Sequence, residues 1–291
     1  MHLTVIRSGS SGNCSLVEHE STKVLIDAGG QSQRGMAALF DESGVDPAAL
    51  DAIIVSHLHR DHCNTATIRL AQRMGIPLWM HKKNTERLPE LYNQNYRNGV
   101  DIQAFTRTAF TVGSLTISAF GVSHDAMGNT CGFRVHPHDA PHQTLAYAAD
   151  LGHVPPEVAV QLLGVDTLFL EANHDLELLW ANPRRTYRHK KRVTGCRGHL
   201  SNQQCAEAII EIVRQSNACP ARIILGHLSA DHNSPQLALD TVGQILENEN
   251  ISTDLVSSYR DRSIPRYQVG TANSNPRPTP PEQLPDQLSL F

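Results

Sequence analysis

The segment SHLHRDH, residues 56–62, has the densest set of metal-binding side chains in the chain. It directly follows the apolar run AIIV, which predicts a strand. His57 and His59 point the same way if the backbone is still extended. A turn after them would bring Asp61 and His62 to the same place. Imidazole together with carboxylate suits Zn²⁺, Mn²⁺ or Fe²⁺ rather than Ca²⁺, so the segment predicts a site for such a metal.

Three more potential ligands follow other predicted strands. His124 comes after LTISAFGV, Asp150 after QTLAYAA and His227 after RIILG. In layered α/β proteins the carboxyl ends of strands meet on one rim, where ligands bind. The rim would collect seven donors, which are His57, His59, Asp61, His62, His124, Asp150 and His227.

Strands and helices alternate along most of the chain. Apolar spacing predicts helices over residues 33–44, 202–217 and 234–250, separated by short strands that end in turn residues. The alternation favours a layered α/β fold. The hydrophobic fraction of 40% over 291 residues suits one large domain or two small ones.

Several compositional features narrow the class of protein. No apolar run approaches the roughly 20 residues of a membrane span, and the start MHLTVIRSGSSGN lacks the apolar core of a signal peptide. Six scattered cysteines, with no C-x-x-C pair, predict small core residues rather than disulfides. We therefore expect a cytoplasmic protein without membrane contact. The net charge of −4 neither favours nor excludes a polyanionic partner.

The order of these motifs resembles the metallo-β-lactamase superfamily. The pattern H-x-H-x-D-H follows a strand, and LIDAGG, VSHDA, AADLG and LGHLS stand in the expected order over roughly residues 1–255. The resemblance implies a four-layer αβ/βα sandwich with two divalent metal ions (Zn, Mn or Fe). By this resemblance Asp150 bridges the two ions, and Asp27 of LIDAGG supports the site from beneath. One ion would have the ligands His57, His59, His124 and Asp150, and the other Asp61, His62, Asp150 and His227.

Such a pair of ions implies hydrolytic chemistry. Two metals about 3.5–4 Å apart clamp a phosphate and generate a hydroxide near neutral pH. Asp61 could both ligate a metal and orient that hydroxide. The superfamily also hydrolyses lactams, thioesters and lactones, so the ligands alone do not select the substrate.

Other segments resemble one group within the superfamily. SGSSGNC, SHDAMGNTCGFRV, LFLEANHD, RGHLSN and LGHLSADHN together look like the YycJ/WalJ-type proteins, which implies 5′-to-3′ DNA exonuclease activity. The stretch GHLSNQQCAEAI followed by IILGHLS is also similar to ribonuclease Z, which implies that His199 is the general acid. The alternative role of His199 is hydrogen bonding at the helix entry, where Ser201 is a plausible cap.

Two polar turns have candidate roles beside the metals. In EANHD we expect Glu171, Asn173, His174 and Asp175 to support the ligands and to contact the substrate, unless the segment is a polar turn alone. In SGSSGN the backbone N–H groups could approach a phosphate, and Asn13 is the expected substrate contact. An ordinary glycine-rich turn is the alternative.

The segment after Leu179 is the most basic in the chain. A cluster of this kind can neutralise DNA phosphates without choosing a sequence, although it can also be a solvated charge run. Its position before His199 favours DNA as the partner. The cations are Arg184, Arg185, Arg188, Lys190, Lys191 and Arg192.

The C-terminus predicts a tether. We expect a hydrolase domain over residues 1–265, a flexible proline-rich linker over 266–286 and a binding peptide at 287–291. The last five residues, QLSLF, resemble the peptides by which bacterial repair enzymes bind the DNA sliding clamp. In this hypothesis Leu288, Leu290 and Phe291 fill an apolar pocket and Gln287 hydrogen-bonds at its edge.

The combined interpretation is a metal-dependent 5′-to-3′ DNA exonuclease, tethered to the sliding clamp at the nucleoid and acting in DNA repair. Three alternatives remain at this point. They are a phosphodiesterase acting on RNA or a small cyclic phosphate, a lactonase or thioesterase, and a non-catalytic adaptor bound to the clamp.

Overall fold

The computed structural model describes residues 1–216 and 218–270. This part of the chain forms two seven-stranded sheets. The predicted peptide at 287–291, and the predicted linker from residue 271 onward, lie outside the described residues. Among the residues that the structure describes, no helix is long and apolar enough to cross a bilayer.

The first sheet has the strand order β14-β1-β2-β3-β4-β5-β6. Its strands are β1 (His2–Arg7), β2 (Cys14–His19), β3 (Thr22–Ile26), β4 (Ala52–Val55), β5 (Leu78–His81), β6 (Ile102–Phe105) and β14 (Tyr267–Gln268). The strands from β14 to β3 pair antiparallel, and those from β3 to β6 pair parallel. The parallel half therefore places the ends of β3 and β4 side by side.

The second sheet repeats this plan with the order β13-β12-β11-β10-β9-β8-β7. Its strands are β7 (Phe110–Val112), β8 (Leu115–Val122), β9 (Thr130–Pro137), β10 (Leu145–Ala148), β11 (Thr167–Glu171), β12 (Arg222–Gly226) and β13 (Asp254–Ser257). The strands from β10 to β13 are parallel, and those from β7 to β10 are antiparallel. The carboxyl ends of β10, β11 and β12 consequently lie together.

Helices cover the outer faces of both sheets. They are α1 (Gln33–Ser43), α2 (Thr65–Met74), α3 (Lys82–Leu91), α4 (Gln94–Arg97), α5 (Pro156–Leu162), α6 (Leu176–Ala181), α7 (Tyr187–Val193), α8 (Asn202–Ser216) and α9 (Pro235–Asn248), with a short 3₁₀ helix at Pro47–Ala49. Gly44 ends α1 in a left-handed conformation, and the hydroxyl of Ser234 caps α9. The three helices predicted from apolar spacing are therefore present.

Strand β4 shows why the layers stack in this way. Its residues are all buried because alternate side chains face opposite apolar layers. Ile54 packs between the two sheets in a cluster with Phe133, whereas Ile53 packs outward in a cluster with Phe40 of α1. A third apolar cluster joins the second sheet to α5, α8 and α9. The predicted four-layer αβ/βα sandwich is confirmed.

The last described strand belongs to the first sheet. In β14, Tyr267 and Gln268 pair with Leu3 and His2 of β1. Val269 is fully buried and its N–H donates to the carbonyl of Met1 at 2.9 Å. Residues 266–270, which the sequence placed in the linker, thus contain a strand that packs on the domain.

Candidate metal centre

The segment that follows β4 folds into the turn that its sequence predicts. The N–H groups of His62 and Cys63 both donate to the carbonyl of His59, at 3.0 and 2.9 Å. This turn brings the ring centroid of His62 to 4.1 Å from that of His57, while the His59 centroid is 4.8 Å from the His57 centroid on another side. Both His57 and His62 are fully buried. Residues 57–62 therefore place the rings of His59 and His62 on different sides of His57.

The second sheet completes the cluster from the opposite side. Nε2 of His124 lies 3.3 Å from Nδ1 of His59. Asp150 lies between the donor sets, because its Oδ1 is 3.4 Å from His124 Nε2 and its Oδ2 is 2.8 Å from His62 Nε2. Its Oδ2 is also 3.5 Å from Nε2 of His227. The structure thus brings all seven predicted donors into one buried cluster.

Three residues at this centre have left-handed backbone conformations although none is glycine. Asp27, Asp150 and His227 have φ values of 59°, 56° and 54°, and each lies just after the end of a strand in β3, β10 and β12. Such a conformation costs roughly 1–2 kcal/mol per residue. The left-handed conformation turns the chain sharply at the end of each strand and directs the side chain toward the cluster. The strain is therefore tolerated where it positions a donor or its support.

The donor atoms fit a bound cation. Groups such as His57 with His59 and His124, and Asp61 with His62 and His227, place their donor atoms within 4.8 Å of one another. Nε2 of His57 is buried and has no hydrogen-bond partner among the residues that the structure describes, which costs about 1–3 kcal/mol unless another group satisfies it. Buried imidazoles with carboxylates are the donor set of Zn²⁺, Mn²⁺ or Fe²⁺. The cluster therefore suits divalent metal ions.

The charges of the cluster also favour a cation. Burial alone would lower the pKa of His62, but the carboxylates of Asp150, Asp27 and Asp61 outweigh burial and raise it well above its usual value. Burial opposes a similar rise at His227, where the neighbouring carboxylates bring the pKa to about 10. Without a metal, the negative charge of the surrounding carboxylates favours the protonated form of both imidazoles. The same negative charge would stabilise a bound metal cation.

Asp27 holds the first-sheet donors from beneath, where the sequence placed it. Its Oδ1 accepts from the N–H of Ser56 and its Oδ2 from the Ser56 hydroxyl, both at 2.8 Å. Oδ2 also lies 2.7 Å from Nδ1 of His62. The Ser56 hydroxyl is 3.0 Å from Nδ1 of His57. Ser56, which precedes the first histidine of the motif, is a support that sequence reasoning missed.

Glu171 performs the equivalent task in the second sheet. Its Oε1 lies 2.7 Å from Nδ1 of His199 and 2.8 Å from Nδ1 of His227, and its Oε2 accepts from the N–H of Leu151 at 3.0 Å. Burial would raise the pKa of Glu171, but the two imidazoles lower it to about 2. Glu171 is therefore an ionised group that fixes both rings.

His199 lies beside the donors at the entry to α8. Its side chain is 12% exposed, and its ring centroid is 5.0 Å from His124 and 5.4 Å from His227. With Nδ1 held by Glu171, Nε2 makes no hydrogen bond to any described residue. The hydroxyl of Ser201 accepts from the N–H of Gln204 at 3.1 Å and caps the helix, as predicted.

His174 and Asp175 do not contact the donors. The carboxylate of Asp175 accepts from the N–H of Leu178 at 2.9 Å, so it caps α6. His174 is fully buried, its ring nitrogens have no partner among the described residues, and burial lowers its pKa to about 4. The adjacent Asn173 does support a donor, because its Nδ2 donates to the carbonyl of His227 at 2.8 Å.

Asn13 is inside the protein rather than on the cleft surface. Its Oδ1 accepts from the Ser8 hydroxyl and from the N–H of Gly9, at 2.9 and 3.0 Å, and its Nδ2 lies 2.9 Å from Nε2 of His62. The Ser8 hydroxyl in turn accepts from the N–H of His227 at 2.9 Å. Because Asn13 is completely buried, it is not placed to touch the substrate as predicted. Its hydrogen bonds and those of Ser8 instead connect His62 of the first sheet with His227 of the second.

The basic segment is a helix with only part of its charge free. Lys190 is buried, and its Nζ donates to the carbonyl of Trp180 at 2.6 Å, which argues against the predicted substrate contact. Arg192 pairs with Asp125 at 2.6 Å, and Arg185 pairs with Asp231. The remaining predicted cations, Arg184, Arg188 and Lys191, are exposed.

Comparison with known proteins agrees with this geometry. The family model described as the Beta-lactamase superfamily domain matches residues 22–228. Exodeoxyribonuclease WalJ of Streptococcus pneumoniae is 33% identical over 265 residues, which cover 89% of this chain and 93% of that protein. Exodeoxyribonuclease YycJ of Bacillus anthracis is 29% identical over 249 residues, which cover 86% and 90%.

Solved structures share the fold at lower identity. The metallo-β-lactamase fold protein YhfI of Bacillus subtilis superposes with a TM-score of 0.66 at 20% identity, covering 90% of this chain and 98% of that one. Zn²⁺-bound PqqB of Methylobacterium extorquens gives 0.68 at 12% identity, covering 91% and 100%. These structures show the shared fold. The family match and the 33% identity to WalJ establish that the chain belongs to the metallo-β-lactamase superfamily and, within it, to the YycJ/WalJ-type group.

Proposed function

We propose that this chain is a metal-dependent DNA exonuclease that degrades a strand from its 5′ end with two divalent ions bound. The observation that carries the proposal is the position of Asp150, whose two carboxylate oxygens face separate sets of imidazoles. The names of its relatives from Streptococcus pneumoniae and Bacillus anthracis support DNA as the substrate.

The donors divide into two sets that share Asp150. The donor atoms of His57, His59 and His124 lie close together, as do those of Asp61, His62 and His227. Zn²⁺, Mn²⁺ and Fe²⁺ all suit this donor chemistry. When bound, such ions would neutralise the phosphate and lower the pKa of a water to near 7. Asp61 is the donor at the mouth of the centre, half-buried, and it positions the attacking water.

His199 supplies the proton to the leaving oxygen. Glu171 accepts a hydrogen bond from Nδ1–H, so the proton that the ring can transfer resides on Nε2. The buried carboxylate holds the ring in place before and after transfer. A positioned imidazole of this kind contributes about 10²–10⁴-fold to the rate.

The exposed cations of α7 and its preceding turn bind the DNA backbone. Arg184, Arg188 and Lys191 are free to neutralise phosphates, and each neutralised phosphate makes binding more dependent on salt. Such contacts position a strand without selecting its sequence. This property suits an exonuclease that must move along any DNA.

The C-terminal peptide delivers the enzyme to the sliding clamp during DNA repair. Its sequence QLSLF supports this part of the proposal. A tether to a ring on DNA would raise the effective concentration of the enzyme at its substrate without any additional contact in the active site.

Digestion of end-labelled DNA tests the function. We expect the wild type with Mn²⁺ or Zn²⁺ to release a 5′ label as mononucleotide before a 3′ label, on single-stranded or double-stranded DNA. His59→Ala should lose this activity, whereas His142→Ala, which removes an exposed histidine outside the centre, should retain it. Release of the 3′ label first would contradict the direction, and hydrolysis of RNA alone would contradict the substrate.

A further inference from the structure

An exposed pair of aromatic rings lies beside the basic surface. Trp180 at the end of α6 is 40% exposed, and Tyr187 at the start of α7 is 68% exposed. Tyr187 is the most exposed large apolar side chain in the described part of the chain. The two ring centroids are 5.9 Å apart, with the planes inclined at 49°. Apolar area of this size in contact with water requires an explanation.

The backbone beneath the rings is firmly held. Nζ of the buried Lys190 donates to the carbonyl of Trp180 at 2.6 Å, and the neighbouring Leu179 is fully buried. Nδ2 of Asn182 lies 3.0 Å from Nε2 of His232. The rings therefore remain exposed on a fixed support, which lowers the entropy that a ligand must remove on binding.

Cations surround the rings. Nζ of Lys191 lies 5.7 Å from the centroid of Tyr187. Nζ of Lys190 lies 5.9 Å from the centroid of Trp180, but the carbonyl of Trp180 binds it, so it does not count among the cations that hold phosphates. The exposed Arg184 and Arg188 flank Tyr187 in the sequence, and residues 184–192 contain no acidic residue. Aromatic faces among cations bind single-stranded nucleic acid, because the rings stack on bases while the cations hold the phosphates.

This aromatic platform, Trp180 and Tyr187, lies on two short helices that connect directly to segments of the metal centre. Helix α6 begins five residues after Glu171, and α7 ends six residues before His199. Arg192 of α7 pairs with Asp125, whose Oδ1 is 3.6 Å from Nε2 of His124. Trp180 is four residues along α6, about 6 Å from its start. A strand held at the centre would therefore reach the platform within a few nucleotides.

We propose that Trp180 and Tyr187 stack on unpaired bases of the DNA strand whose scissile phosphate lies at the metal centre. This inference rests on the proposed nuclease function and extends it. Paired bases in a duplex hide their faces, so the platform selects substrates with a single-stranded segment next to the site of cleavage.

Tryptophan fluorescence provides a direct measurement of stacking. The chain has two tryptophans, and Trp79 is partly buried and stacks on Phe110 at 4.7 Å against the apolar layer between the sheets. Trp180 is the more exposed of the two, and Trp180→Phe measures what Trp79 contributes. Titration of the metal-loaded wild type with phosphorothioate-linked decathymidylate, which resists cleavage, should quench part of the emission. Trp180→Phe should retain the Trp79 emission and lose the quenching.

Binding of the same oligonucleotide tests each ring. Trp180→Ala and Tyr187→Ala should each weaken binding roughly 5- to 100-fold, the range expected for loss of one stacked base. Tyr187→Phe, which keeps the ring face, should bind within about twofold of the wild type. Met74→Ala, which removes another exposed apolar side chain at the end of α2, should leave binding unchanged.

The outcomes separate this inference from the proposed function. If the wild type hydrolyses DNA but both alanine variants bind the oligonucleotide as tightly as it does, the stacking proposal is wrong and the nuclease proposal stands. A protein partner would then be the expected ligand of the exposed rings. Absence of decathymidylate binding or of quenching in the wild type would also overturn the stacking proposal. Weakened binding in the alanine variants without any wild-type DNA hydrolysis would support the platform and contradict the nuclease.

Discussion

Oε1 of Glu171 lies 2.7 Å from Nδ1 of His199, and the same oxygen lies 2.8 Å from Nδ1 of His227. One buried carboxylate thus joins the proposed proton donor to a proposed metal ligand. Neither ring can turn without disturbing the other, so proton transfer and metal binding depend on a single side chain.

Replacement of Glu171 by glutamine should lower both activity and metal content. Glu171→Gln keeps the size of the side chain but removes the charge that stabilises both imidazoles. Loss of a group that orients metal ligands typically costs 10–100-fold in activity or metal affinity. Steady-state hydrolysis and metal analysis of purified protein measure the two effects. Glu42→Gln, on the exposed face of α1, is the matched control, and equal activity of the two variants would contradict the assigned role.

Asp27→Asn should destabilise the metal-free protein. The carboxylate and its partner His62 are both fully buried, and removal of one member of such a pair costs about 3–5 kcal/mol. The free energy of unfolding from denaturant titration in a chelator measures this loss. Asp41→Asn, at an exposed position, should change it by no more than about 0.5 kcal/mol. A change that small for Asp27→Asn would show that Ser56 and His62 are held by other contacts.

Metal affinity should fall as the pH falls. The metal-free pKa of His227 is raised to about 10 and that of His62 is raised well above its usual value, so both rings hold protons at neutral pH. A metal requires neutral imidazole, and its binding must release these protons. Calorimetric titration with Mn²⁺ in two buffers of different ionisation enthalpy counts them, and we expect about one to two per protein. A binding enthalpy independent of buffer would refute this expectation.

Gly152→Ala should reduce activity through a displaced loop. A Cβ at Gly152 would lie 2.4 Å from the backbone of Gly195 and Cys196, in the loop that leads to His199. A displacement of about 1 Å in a catalytic group can cost 10²-fold in rate. The value of kcat on labelled DNA measures the effect.

Gly243→Ala is the control for this substitution. Gly243 is in the middle of α9, where alanine favours the helix by about 0.5–1 kcal/mol. The added methyl group would lie 3.7 Å from Leu255 of β13, an ordinary van der Waals contact. Normal activity of Gly152→Ala would show that the loop can shift without moving His199.

Deletion of residues 287–291 should separate delivery from catalysis. If QLSLF binds the sliding clamp, pull-down with the clamp should disappear while hydrolysis of free DNA continues. Exchange of Leu290 and Phe291 for alanine in the full-length chain tests the same contacts. Retention on the clamp after either change would remove the basis for the tether.

The metal cluster could be predicted from sequence because each donor directly follows a strand. The carboxyl ends of strands that run in the same direction occupy one rim of a sheet, so His124, Asp150 and His227 were predicted to lie close together. Strand β8 runs in the direction of β10 because both pair antiparallel with β9. The turn after His59 was also predictable, since SHLHRDH has to leave the strand. The order of the motifs then specified the four-layer fold.

The surroundings of the cluster were less predictable because they depend on contacts between distant segments. Asn13 was expected in the cleft but lies beside His62, and the ammonium group of Lys190 is bound by a carbonyl ten residues away. Helices α6 and α7 have six and seven residues, too short for a period of 3.6 to be visible. The aromatic platform was missed for the same reason.

The spread of the donors along the chain has a consequence for synthesis of the protein. The first, His57, and the last, His227, are separated by most of the domain, and Ser8 at the start binds the backbone of His227. A nascent chain still short of β12 has neither the last donor nor the strand that carries it. The proposed hydrolysis therefore requires synthesis of the chain at least through His227, because any shorter product lacks a complete set of donors.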